Sequence, residues 1–316
     1  MMNPFLLSLV LMAISVAGFT AHQLFEFPNA TFVENIAVRS NGHILVTTFD
    51  QARLYTIDPT GPSYPTIVAQ IPGETALAGI TELTPSKCAV AAGILGNLNF
   101  TDSSSSVWLI DFGIGTDEGQ PSVTLAANIP EANILNGIVS LPKYRDVILA
   151  IDSIQGVMYR INTTLGKVDV AFEDKLLGLG DTPVFPLGAN GIKIHDGYLY
   201  FAQSAQQFFG RVRISDIGDK VGDIEKIVST PGGFLAYDDF VMTKGGVSYV
   251  TMHPNGVAKI TRDGKQTVLY DADDIPNLRE PTSAALSWDE TKLYVTTGGN
   301  QTDEQVYGGQ IVEIEL

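Results

Sequence analysis

The chain holds a single cysteine, Cys88, in 316 residues, so no internal disulfide framework staples it. Bases are scarce as well: nineteen Lys and Arg against thirty-five Asp and Glu leave a formal charge of −16. A field of that sign repels phosphate backbones and anionic lipid, which excludes nucleic acid and membrane surfaces as expected partners. Charged residues make up only 17% and apolar ones 45%, unlike the polar, highly charged composition of disordered chains. Common catalytic signatures are missing: no G-x-S-x-G elbow, no H-E-x-x-H pair and no G-x-x-x-x-G-K-[ST] loop. Ser140-Leu141-Pro142-Lys143 matches S-x-x-K in letters only, because it sits at a strand end with a proline rather than on a helix. Asp271-Ala272-Asp273-Asp274 opens like a calcium loop but lacks its sixth-position glycine and closing glutamate. Cys88 starts an apolar strand and reads as a small core residue rather than a nucleophile.

One uncharged apolar run is present, Phe5–Ala17 (FLLSLVLMAISVA), too short to span a bilayer and followed by polar sequence. Small residues Ser15 and Ala17 precede Gly18, so residues 1–17 are read as a signal peptide and 18–316 as one domain. Four N-x-[ST] sequons, at Asn29, Asn99, Asn162 and Asn300, agree with that leader as glycosylation acceptors. The expectation is a secreted protein or one held in the lumen of the secretory pathway or a vesicle, and a monomer.

Thirty-one glycines and sixteen prolines, spread along the chain, call for many turns and short strands. A polar turn followed by an apolar strand recurs six times: HILVTT, CAVAAG, VILAID, YLYFAQ, VSYVTM and KLYVTT. These start at residues 43, 88, 147, 198, 247 and 292, hence 45 to 59 residues apart. An apolar strand precedes each one, and an alternating strand such as RLYTID or VMYRIN follows. With a weaker fourth strand, such as PTIVAQ, each repeat is one four-stranded antiparallel blade. The sequence therefore predicts an all-β, six-bladed β-propeller. Residues 22–27 (HQLFEF) have no partner in their own repeat and are expected to close the last blade.

In a propeller, the residues opening each innermost strand share a face with the loops after each second strand. The openers are Glu34-Asn35, Gly79, Asn136, Asn190, Asp238-Asp239 and Thr282-Ser283. Four of the six blades thus direct a carboxylate or carboxamide toward the axis. Such oxygens suit a hard divalent cation, or hydrogen bonds to a polar organic ligand, or capping of their own turns. The loops of the same face bring Phe49, Asp50, Asn97, Asp152 with Ser153, Gln203 with Ser204, and His253, the aromatic, amide and hydroxyl mixture of a small-molecule pocket.

With these residues named, the chain resembles the fungal branch of the SMP-30/gluconolactonase-like propellers. The resemblance runs through FVENIAVRSNGHILVTTFDQARLYTIDP (residues 32–59), LNGIVSLP, AIDSIQGVMYRIN, ANGIKIHDGYLYF, DDFVM, PTSAALS and GGQIVEIEL, nearly all of the chain after the leader. Lactonases of that superfamily hold a divalent metal such as Ca²⁺ through a Glu, Asn, Asn, Asp set, which would fall on Glu34, Asn136, Asn190 and Asp238. The adjacent Asn35 and Asp239 compete with the first and last of these for the axial position. The first blade more closely resembles the fungal hetero-Diels–Alderases of tropolone sesquiterpenoid pathways, which join a quinone methide to an alkene without cofactor. That activity would use Asn35, Asn136, Asn190, Asp239 and Ser283 as catalytic groups. It is the leading expectation, ahead of a metal-dependent lactonase or ester hydrolase and a non-catalytic binding propeller.

Overall fold

The computed structural model describes residues 20–29, 31–61, 64–96, 99–101, 103–113, 120–271, 274, 276–301 and 305–316, with Gln301 described in its backbone alone. The leader, Asn97 and two of the four residues of the 271–274 run therefore lie outside the described residues. Six four-stranded antiparallel sheets stand in a ring. Blade one is Val33–Val38, Ile44–Thr48, Arg53–Ile57 and Thr66–Gln70. Blade two is Ala76–Thr84, Lys87–Gly93, Ser106–Asp111 and Ser122–Asn128. Blade three is Leu135–Ser140, Val147–Asp152, Val157–Asn162 and Lys167–Glu173. Ala189–His195, Tyr198–Gln203, Phe208–Arg213 and Glu225–Ser229 make blade four. Ala236–Met242, Ser248–His253, Gly256–Ile260 and Gln266–Tyr270 make blade five. Blade six takes Pro281–Leu286, Lys292–Thr297 and Gln310–Glu315 from the end of the chain, and its outer strand, Ala21–Glu26, from the beginning.

The core lies between blades. Each second strand is buried on both faces, which is why it reads as a continuous apolar run. Alternate residues serve opposite neighbours: Leu45 packs toward blade two, whereas Ile44 and Val46 pack toward blade six. The same division recurs with Ile148 and Ala150 against Leu149 and Ile151. Hydroxyls tie successive blades at the axis. Thr47 donates to the Ala78 carbonyl, Ser153 to Ala189, Ser204 to Tyr237, Thr251 to Thr282 and Thr282 to Val33.

Ring closure follows the expectation, one residue earlier than the 22–27 reading. Ala21 pairs with Ile314 and Glu26 with Gln310. The buried Gln310 amide donates to Gln23 at 2.6 Å, and Arg279 pairs with Glu26 at 2.6 Å. Among the sequons, Asn29 and Asn300 are exposed and Asn99 and Asn162 half-buried. Among the described residues no helix is long and apolar enough to cross a membrane.

Candidate functional site at the axial mouth

The register of every innermost strand slips at its opening, between Val33 and Asn35, Leu77 and Ile80, Leu135 and Ile138, Ala189 and Ile192, Tyr237 and Phe240, and Pro281 and Ser283. A bulge lets two consecutive residues leave the regular alternation and re-aims their side chains. Glu34, Asn136, Asn190 and Asp238, the first residue of each slip in four blades, line one cavity of about 590 Å³. The second residues, Asn35, Asp239 and Ser283, do not line it. The choice between Glu34 and Asn35, and between Asp238 and Asp239, is resolved in favour of Glu34 and Asp238.

Those second residues form a buried knot. Asp239 Oδ2 accepts from Asn35 Nδ2 at 3.0 Å and Ser283 Oγ at 2.7 Å. Its Oδ1 accepts from Lys193 Nζ and from the Phe240 amide, both at 2.7 Å. Asn35 and Asp239 thereby bond the backbone of the next residue, Ile36 and Phe240, and fix the two bulges that aim Glu34 and Asp238. Across the ring the matching positions are Gly79, Gly137 and Gly191. A Cβ on Gly191 would lie 1.8 Å from Asp239 Oδ1, so only glycine leaves room for this carboxylate.

The cavity wall is apolar: Phe32, Phe49, Leu95, Ile134, Phe185, Pro186 and Leu187. Phe32 and Phe49 stack at 5.2 Å with their planes 13° apart. The polar part of the lining is Glu34, Asn136, Asn190, Asp238, His253 and Glu280. His253 Nε2 lies 2.6 Å from Asp238 Oδ2 and its Nδ1 2.5 Å from Glu280 Oε2, so both ring nitrogens are committed to carboxylates. Phe185 stacks on the same imidazole at 5.3 Å. Burial alone would lower the His253 pKa, but hydrogen bonds to Asp238 and Glu280 outweigh it and hold the ring as a cation, with its pKa pushed up to about 10. Glu34 is held well above the usual carboxylate range by burial first, then by Asp238 and Asp239, against the pull of His253 and the Asn136 amide. Burial likewise raises Asp238, opposed by its bond to His253.

Asn136 is 1% exposed, and neither its Oδ1 nor its Nδ2 meets a hydrogen-bond partner of good geometry. A buried carboxamide left so costs about 1–3 kcal/mol. Lining a cavity, this donor and acceptor are placed to bond a water or a ligand that enters it.

The other pocket expectations divide. Phe49 and His253 line the cavity. Asp152 and Gln203 do not: Asp152 caps the amides of Ile154, Gln155 and Asn133, and Gln203 donates to the Leu176 and Gly178 carbonyls, so both brace loops. Asp50 lies in an adjacent groove with Arg53 and Tyr55. Sequence reasoning missed Glu280, although it lies only two residues before the opener of blade six, and Phe185, which sits in the 15-residue connection 174–188 where periodicity is silent.

As to a metal, Glu34, Asn136, Asn190 and Asp238 are oxygen donors of the type a hard divalent ion takes. Two of the four are neutral amides, and the Asp238 carboxylate is already paired with the His253 cation. Among the described residues no three His, Cys, Asp or Glu side chains gather as a metal site.

No protein-family model matches the chain. It is 28% identical over 308 residues to a Phoma protein named as a hetero-Diels-Alderase, covering 86% of this chain and 85% of that one. A second protein so named, from Sarocladium schorii, is 26% identical over 213 residues, 61% of this chain and 53% of its own length. Solved propellers share the architecture. A luciferin-regenerating enzyme superposes with a TM-score of 0.67 at 14% identity, covering 95% of this chain and 96% of its own. A calcium-binding regucalcin from Agrobacterium tumefaciens scores 0.65 at 18% identity, covering 94% of each. A gluconolactonase from Xanthomonas campestris scores 0.62 at 13% identity, covering 94% and 90%. At such identities these structures establish the fold alone.

Proposed function

We propose that this propeller is a small-molecule cyclase that performs a hetero-Diels–Alder addition in its axial cavity without a cofactor, within secondary metabolism and the secretory pathway. The buried Asn136 carboxamide, which lies near Glu34 but makes no hydrogen bond of good geometry, carries the reading because it lines a cavity that joins aromatic and aliphatic surface to polar groups, and similarity to two proteins named for that reaction supports it. A volume near 590 Å³ accommodates an oxygenated heterodiene together with a hydrocarbon alkene. The alkene lies against Phe32, Phe49 and Leu187. The heterodiene points its carbonyl at Asn136 and Asn190, where negative charge grows as the two new bonds form. Donors already fixed at that point stabilise the charge without reorganising. His253 has no free N–H and its charge is balanced by Asp238 and Glu280, so it orders the polar lining while Asn136 and Asn190 act as the donors. Holding both partners in attack geometry supplies several kcal/mol more from entropy lost in advance.

The test is to incubate purified protein with a quinone-methide precursor and an alkene. One cycloadduct stereoisomer in enzyme-dependent excess, unchanged by a chelator, is the expected result; a product mixture identical to the enzyme-free control refutes it.

The second reading is a metal-dependent lactonase, favoured by the convergence of Glu34, Asn136, Asn190 and Asp238 on one cavity. Those four would hold the ion, which supplies Lewis-acid polarisation of an ester carbonyl. It ranks second because Asp238 is already neutralised by His253. Lactone hydrolysis lost on chelation would reverse the order.

A further inference from the structure

A second concavity, also of about 590 Å³, lies outside the axial cavity and shares only Phe49 with it. It runs between the ring-closing N-terminal strand and blade one. We propose that it is a saccharide groove, filled by the first N-acetylhexosamine units of a glycan carried on Asn29.

Three observations converge. First, both functional ends of the sequon face the groove, since Asn29 and Thr31 line it. Thr31 Oγ1 donates to the Pro28 carbonyl at 3.0 Å, and Asn29, with φ 59°, turns the chain there and leaves its side chain exposed. A sugar attached at that amide is tethered at the groove, so its high effective concentration lets even weak affinity dock it. Second, the lining has the chemistry that carbohydrate recognition requires. Phe25, Phe49 and Tyr55 offer ring surface for the C–H faces of a pyranose, and Asp50, Gln51 and Arg53 offer hydrogen bonds for hydroxyl and acetamido groups. Arg53 donates to Asp50 at 3.0 Å and to the Gln51 carbonyl oxygen at 2.7 Å, which orders the polar edge and leaves the Gln51 NH₂ to donate outward. Third, Gln51 and Ala52 stand consecutively in the left-handed region, at φ 54° and 49°, where glycine would be the unstrained choice. The turn keeps a side chain at residue 51 despite that cost, and that side chain is exposed at the groove.

Groove and catalytic cavity share only Phe49, so the assignment rests on the secretory route of the proposed function but not on its cycloaddition. The test uses the full chain made through a eukaryotic secretory route. Glycopeptide mass spectrometry is expected to find Asn29 occupied. Treating the native protein with an amidase that cleaves the Asn–glycan bond is expected to release the Asn29 glycan about tenfold more slowly than the Asn162 glycan, as for a sugar docked roughly nine-tenths of the time. Gln51→Ala, at an exposed position, brings the two rates together. An unoccupied Asn29, a chain without glycan at any sequon, or equal release rates in the parent each overturn the proposal. Unglycosylated protein titrated with chitobiose is expected to show no binding below the millimolar range. Sub-millimolar binding would assign the groove to a free saccharide instead.

Discussion

Phe27→Ala tests how the ring is closed. Phe27 follows the N-terminal strand, is 4% exposed, and meets Phe25 and Tyr55 edge-on, each at 5.1 Å. Its amide donates to the Gly309 carbonyl at 2.9 Å, so the ring is anchored where the first and last segments of the chain meet. Truncating such a phenylalanine costs about 3–5 kcal/mol. In a domain of this size each kcal/mol lowers Tm by about 2 °C, giving a fall of roughly 6–10 °C. Deleting residues 20–28 goes further. It leaves the buried Gln310 amide without its Gln23 acceptor, about 1–3 kcal/mol, and bares the whole edge of blade six. Together these losses approach the entire stability of about 5–15 kcal/mol expected of a domain, so the deletion variant should not fold cooperatively. Thermal melts followed by circular dichroism are the assay, with Phe234→Ala, 89% exposed, as a control expected within about 1 °C of the parent. A Phe27→Ala protein that melts with the control refutes the closure.

His253→Gln should change how stability depends on pH. The folded chain raises this imidazole from 6.5 to about 10, so its contribution is complete below pH 6.5 and disappears as pH rises from there to about 10. The Tm difference between parent and variant should therefore be larger near pH 6.5, with both carboxylate partners ionised, than near pH 10, and shrink across that window; a constant difference contradicts the His253 assignment. Gly191→Ala places a methyl carbon 1.8 Å from Asp239 Oδ1, and the overpacking should cost at least about 1–3 kcal/mol. A melt unchanged from the parent would mean that the Asp239 knot is not packed against Gly191 as described.

The architecture was legible because a propeller repeats one physical solution. A second strand buried on both faces gives VILAID or YLYFAQ, and breakers at regular intervals mark the blades. The position of the site was legible for the same reason, since openers recur at one place in each repeat. Orientation at that place was not. Period-two alternation puts Glu34 and Asn35 on opposite sides, but a bulge decides which of them meets the cavity, and bulges depend on pairing with a neighbouring strand. The roles of Asp152 and Gln203 were hidden likewise, because their polar side chains serve backbone groups brought close only by folding. Phe185 reaches His253 from a connection without periodicity, and the Phe32–Phe49 stack joins residues that look like ordinary strand-end aromatics.

The central claim is that the axial cavity performs the cycloaddition through donors in its polar lining, and Asn136→Ala tests it most directly. Because this carboxamide makes no hydrogen bond of good geometry and lines an existing cavity, its removal should move Tm little, the relief of its unpaired groups offsetting the loss of a polar neighbour to Glu34. Any change in chemistry is then not a change in folding. Removing one donor from a water-excluded site costs up to about 3 kcal/mol, on the order of a hundredfold in rate, and less where Asn190 substitutes. The measurement is the ratio of cycloadduct stereoisomers formed from a quinone-methide precursor and an alkene by the parent and by Asn136→Ala. A slower reaction, with the isomer ratio drifting toward that of the uncatalysed mixture, is the predicted result. Full rate with an unchanged ratio would place the chemistry elsewhere.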